Sequence, residues 1–142
     1  MPKLRHIAIA AEDPEAMAEF YKKAFDFKEV GRPSGALADG VFLSDGTLNM
    51  AILKFKTDQL GKGLDYRGIH HFGILVEDVD EFSKKLESLG GKHYIDRNQD
   101  HGPNAGYFEV KFYGPEGVLF DVAENPWTGT EPLPTEKAEA AE

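Results

Sequence analysis

The sequence predicts an α+β protein made of two related βαβββ modules, and three observations carry that prediction. The stretch Leu4-Arg5-His6-Ile7-Ala8-Ile9 returns 65 residues later as Ile69-His70-His71-Phe72-Gly73-Ile74, and Glu12-Asp13 returns at the same offset as Glu77-Asp78. After each copy the apolar residues take a helical spacing and then go back to strand-like alternation. Between the copies, mixed charges and Gly61, Gly63 and Gly68 interrupt both periods. A chain of 142 residues suits one domain, or two very small modules sharing a core.

Each element has a local reason. Residues 4–10 read as a strand. Asp13-Pro14 then starts a helix: an Asp side chain accepts from the unpaired N–H groups of the first turn, and Pro lacks an N–H that this turn cannot use. Met17, Phe20, Tyr21, Ala24 and Phe25 form the helical stripe. Asp26-Phe27 ends it, and a short strand passes through Glu29 and Val30. Residues 31–40, rich in Gly, Pro and Ser, read as a loop. Residues 41–44 and 47–55 read as strands joined at Asp45-Gly46, a hairpin signal. The first module thus covers residues 1–57, and residues 58–68 are the linker.

The second module covers residues 69–125. A strand over 69–76 leads to Asp78 as helix cap, with Glu81 placed for a capping box. Val79, Phe82, Leu86 and Leu89 form the stripe, and Gly90-Gly91 ends it. A short strand over 93–96, a polar loop over 98–106 containing His101, and strands over 107–113 and 118–123 follow. Residues 126–142 hold three prolines and an Ala- and Glu-rich end; they read as a C-terminal arm and flexible tail.

Composition removes several classes. The net charge of −9 argues against nucleic acid and anionic membrane as partners, since both would repel an acidic surface. With no cysteine, disulfides, thiolate metal sites and Cys nucleophiles are excluded. No signal peptide and no apolar run of membrane-spanning length is visible, so a cytoplasmic protein is the simplest reading.

The order βαβββ twice, with a histidine near the start of each first strand, resembles the vicinal oxygen chelate superfamily. That group includes glyoxalase I, methylmalonyl-CoA epimerase, extradiol dioxygenases and bleomycin-binding proteins. The resemblance covers residues 4 to about 124. It implies modules that form cupped mixed sheets around a shared cavity, with metal ligands on the first and last strands of each half. Residue by residue it points to His6 and to His71, which is in register with His6 as His70 is not. In Gly117-Val118-Leu119-Phe120-Asp121-Val122, Asp121 stands where many relatives carry glutamate. Ala51 stands where several place a fourth ligand, and alanine cannot bind metal; Asn49 lies one pleat away. The resemblance also implies a small-molecule substrate and a homodimer, in which the modules pair within one chain or across two.

Strand alternation gives a separate test, because residues i and i+2 share a face. Ile7 and Ile9 oppose His6, Ala8 and Ala10; Phe72 and Ile74 oppose His71 and Gly73. Val110 and Phe112 oppose Glu109 and Lys111; Phe120 and Val122 oppose Asp121 and Ala123. The bulky face suits packing under helices, and the opposite face suits an open cavity. His70 and His93 fall outward.

Two imidazoles and a carboxylate suit a divalent first-row ion such as Fe(II), Mn, Co, Ni or Zn, with Asp121 or Glu109 as the carboxylate. Glu109, His101 and Tyr107 are the candidate acids and bases. Asn49 and Lys111 are the candidate substrate contacts, although Glu109 and Lys111 also read as a salt-bridged sheet face. Three functions follow: a metal-dependent glyoxalase-like isomerase, epimerase or lyase; an Fe(II) ring-cleaving dioxygenase; or a drug-binding protein of the bleomycin-resistance type without catalysis.

Overall fold

The structure, a computed structural model, describes residues 1–99 and 107–125. Its elements run β1 (Lys3–Ala10), α1 (Pro14–Phe25), β2 (Lys28–Gly31), β3 (Ala38–Ser44), β4 (Asn49–Phe55), β5 (Gly68–Leu75), α2 (Val79–Ser88), β6 (Lys92–Gln99), β7 (Tyr107–Tyr113) and β8 (Leu119–Ala123). The protein is therefore α+β, and the order β-α-β-β-β occurs twice. No helix among the described residues is long and apolar enough to cross a membrane. The described chain forms two compact units, residues 5–72 and residues 1–4 with 73–125.

In the unit of residues 5–72 the strand order is β2-β3-β4-β1-β5. β1 and β4 are parallel, while β2, β3 and β4 are antiparallel. Asp13 caps α1 as the sequence predicts, accepting from Ala16 N at 3.1 Å. The helix ends at Asp26, whose φ of 59° lies in the left-handed region. Met17, Ala18 and Tyr21 of α1 meet Val41, Leu43, Ile52 and Met50 of β3 and β4. Three members of the expected stripe, Phe20, Ala24 and Phe25, do not join them. Phe20 and Phe25 are exposed, and each lies beside the Tyr21 ring on the helix flank.

β3 begins three residues earlier than its composition suggests, because Gly40 belongs to the ladder. A Cβ there would sit 2.0 Å from the Ile52 carbonyl oxygen, so the close approach of β4 requires glycine. The turn after β3 falls at Asp45-Gly46 as predicted but runs on to Leu48, so that β4 begins at Asn49 and not at Thr47: Asp45 accepts from the N–H groups of Thr47 and Leu48, and Gly46 takes a φ of 99°.

In the other unit the strand order is β5-β8-β7-β6, with β6, β7 and β8 antiparallel. Asp78 caps α2, accepting from Glu81 N at 3.0 Å. Leu89, expected on the stripe, is the exposed C-cap. β6 is twice the length its sequence suggests. Its polar residues are held because β7 offers a pairing edge along the whole strand. Both faces of β7 and β8 are buried: Val110, Phe112, Phe120 and Val122 on one, Glu109, Lys111, Asp121 and Ala123 on the other.

Candidate metal centre

β1 and β5 are neighbours in the strand order, and each carries its predicted histidine inward. His6 is fully buried and His71 nearly so. Their rings meet edge to face at 87°, and the two Nε2 atoms are 3.3 Å apart. One chain supplies both. Two nitrogens each bound at about 2.0–2.1 Å to one ion lie roughly 2.9–3.4 Å apart for angles of about 90–110°. The observed separation falls in that range, whereas it is long for an N–H···N hydrogen bond. The pair therefore fits a divalent ion.

The face that carries His6 is not open within this unit. Ala8, Ala51 and Leu53 are buried there with Ala38, Phe42 and Phe55 packed against them. The sequence pattern anticipates small residues beside His6 but not the aromatic rings that cover them. A cavity of about 20 Å³ does lie in this unit, against Phe55, Gln59, Tyr66, Arg67 and His70. That is room for about one water molecule.

His70 corrects the sequence reading. Alternation placed it outward, yet it is 8% exposed. Its ring stacks on Phe55 with centroids 3.8 Å apart and planes 13° from parallel. Its Nδ1 lies 2.7 Å from Nδ1 of His71. The apolar shelf of Phe55 holds the ring in, and strand parity alone cannot show such a shelf. The signal present in the sequence was the His-His dipeptide itself. His93 does lie outward, paired with Asp96 at 2.6 Å.

The unit of residues 73–125 holds a second concentration of chemistry. Lys111 Nζ lies 3.7 Å from Glu109 Oε1 and 3.7 Å from Asp121 Oδ2. Arg97 donates to Glu109 Oε1 at 3.0 Å. Glu109, Lys111 and Asp121 are all at least 98% buried. Strand register sets the contacts: Arg97 faces Glu109, and Lys111 faces Asp121. Opposite charges directly across a ladder attract, and here two cations balance two carboxylates. Glu109 and Lys111 are thus salt-bridged, as one reading of the sheet face had them, but the face is buried where a surface ladder would be solvated. Arg97 was missed because its role depends on cross-strand register.

Asn49 is buried level with His6 on β1 and with Ser44 on β3. Ala51 faces Phe42 in the β3–β4 ladder, the position that Asp121 holds opposite Lys111 in the β7–β8 ladder. His101 lies outside the described residues. Tyr107 opens β7 with its backbone paired to Gln99, and its side chain lies outside the described set.

A family model for the glyoxalase/bleomycin resistance protein/dioxygenase superfamily matches residues 3–122. The chain belongs to that superfamily, in agreement with the resemblance read from its repeat. No curated protein matches the chain in sequence. Among solved structures, a hypothetical protein from Bacillus halodurans C-125 is 20% identical with a TM-score of 0.71, covering 94% of this chain and 99% of its own. Methylmalonyl-CoA epimerase from Mycobacterium tuberculosis is 22% identical with a TM-score of 0.69, covering 96% and 91%. A Streptomyces coelicolor methylmalonyl-CoA epimerase in complex with 2-nitronate-propionyl-CoA is 21% identical with a TM-score of 0.67, covering 84% and 94%. These likenesses establish the fold.

Proposed function

We propose that this protein is a metal-dependent enzyme of the isomerase or epimerase type, acting on a small oxygen-bearing substrate of the acyl-thioester class. The observation that carries the reading is the 3.3 Å separation of His6 Nε2 and His71 Nε2. His6, His71 and Asp121 would hold the ion, each giving one ligand atom; Fe(II), Mn, Co, Ni and Zn all accept such a set. Neutral imidazoles bind these ions near neutral pH without a large proton cost, and the carboxylate offsets part of the charge. The similarity to epimerases solved with CoA thioesters supports the substrate class.

When bound, the ion would polarise a carbonyl oxygen of the substrate and acidify the adjacent C–H. Glu109 is the proposed group for moving that proton. Arg97 donates to its Oε1 at 3.0 Å and Lys111 Nζ lies 3.7 Å from the same oxygen. A carboxylate suits a carbon acid whose carbonyl is polarised. Tyr107 and His101 are proposed as the complementary acid, and Asn49, level with His6, as a substrate contact. Lys111 neutralises the two carboxylates it faces.

The test begins with metal analysis of the purified protein after exposure to each of the five metals, beside His71→Ala. Wild type is expected to hold stoichiometric metal, with affinity reduced at least about tenfold in the variant. Equal metal content in the two would dismantle this centre. Exchange of the α-proton of methylmalonyl-CoA in D₂O, followed by NMR, is then expected for the loaded wild type. It should be lost in Glu109→Gln with metal retained.

A further inference from the structure

Three imidazoles, rather than two, are joined in the unit of residues 5–72. We propose that His70 is a positioning residue for His71: its Nδ1 accepts the Nδ1–H of His71, which fixes the tautomer and turns the Nε2 lone pair toward the metal. The inference rests on the metal-centre reading above and adds a role for a histidine outside the ligand set.

Proton counting fixes the arrangement. A neutral imidazole carries one N–H and one acceptor nitrogen. His71 Nε2 faces His6, and His71 Nδ1 faces His70 at 2.7 Å. If Nε2 gives its lone pair to an ion, the proton must be on Nδ1. At 2.7 Å that proton needs an acceptor, and Nδ1 of His70 is the atom in place. His70 then carries its own proton on Nε2. Adjacent strand residues ordinarily point to opposite faces, so this contact is not a by-product of being neighbours in sequence. Phe55 stacked at 3.8 Å fixes the His70 plane. A ligand imidazole whose other nitrogen is held in this way is a better and better-aimed donor.

The repeat differs at this point. Arg5 occupies the position before His6 that His70 occupies before His71, and a guanidinium has no acceptor, so Arg5 cannot take the part proposed for His70.

The experiment titrates Zn(II) into wild type, His70→Phe and His70→Asn by calorimetry, with thermal melting of each metal-free protein as a control for folding. Phe keeps a flat ring against Phe55 but removes the acceptor; Asn returns an oxygen acceptor near the place of Nδ1. The dissociation constant is expected to rise about 10–100-fold in His70→Phe and to recover at least in part in His70→Asn. A folded His70→Phe that binds zinc as tightly as wild type overturns the role of His70 and leaves the metal centre standing. A wild type that binds no metal removes both. Should His70→Phe not fold, ¹⁵N NMR of zinc-loaded wild type decides. His71 is expected to carry its proton on Nδ1; a proton on Nε2, or zinc on Nδ1, overturns the proposal.

Discussion

Phe42 faces Ala51 in the β3–β4 ladder, and Lys111 faces Asp121 at the matching place in the β7–β8 ladder. One step along, Gly40 faces Leu53 where Glu109 faces Ala123; one step back, Ser44 faces Asn49 where Tyr113 faces Leu119. The two hairpins thus share a register while burying opposite chemistries. The first buries no charge at these places: Phe42, Ala51 and Leu53 are apolar, and Ser44 and Asn49 are polar but neutral. The second buries three ionisable side chains, and the charged form of each costs several kcal/mol to desolvate unless it is paired. The backbone plan does not demand those charges, because the first hairpin manages without them. Their retention in the second is what a site would require, and their mutual neutralisation is what makes retention tolerable.

The largest expected effect comes from breaking that neutrality. Lys111→Met leaves Asp121 buried without its cation, and urea denaturation should show a loss of about 3–5 kcal/mol. Adding Asp121→Ala makes the second hairpin resemble the first and should recover more than half of the loss. A single-variant cost below about 1 kcal/mol would mean that the network is dispensable and the contrast between the hairpins superficial. A smaller effect tests the apolar side. Gly40→Ala drives a methyl into the Ile52 carbonyl and should cost about 1–3 kcal/mol, seen in the same denaturation measurement. A stability equal to wild type would show that the first hairpin has slack that its register does not suggest.

The smallest effect concerns the turns. N–H donors from Leu48 and Thr47 hold the Asp45 carboxyl below the usual aspartate range. A group with a depressed folded pKa stabilises above its unfolded pKa, and that contribution fades as pH falls through the folded value. Asp45→Ala should therefore cost about 0.5–1.5 kcal/mol near neutral pH. The difference from wild type should shrink below about pH 4, as read from melting temperatures across a pH series. A constant difference down to strongly acid pH would show that the turn acts through something other than this carboxylate. The β7–β8 connection, Gly114-Pro115-Glu116-Gly117, has no Asp at the equivalent place and should show no such acid dependence.

Element order was legible because each repeat announces itself through caps and periodicity: Asp13 and Asp78 cap the helices they were expected to cap. Element ends were less so. Gly40 has the composition of a loop and the place of a strand residue, and the polar end of β6 is held by β7 rather than by its own pattern. His6 and His71 could be paired through the repeat, and parity placed Glu109, Lys111 and Asp121 on one face. The positions of Arg97 and His70 could not be read in this way. One depends on which residue a neighbouring strand presents, the other on a Phe55 ring supplied from a different strand, and neither leaves a period in the sequence.

The charged ladder has one further consequence. Its innermost members are sealed, but the Arg97 side chain keeps 35% of its surface in contact with solvent. Dissolved ions reach that guanidinium and not the groups behind it. Raising ionic strength would loosen the outermost pair first and shift the field felt by Glu109 while leaving the Lys111–Asp121 pair intact. Arg97 is in that sense a window through which the surrounding electrolyte acts on an otherwise closed interior.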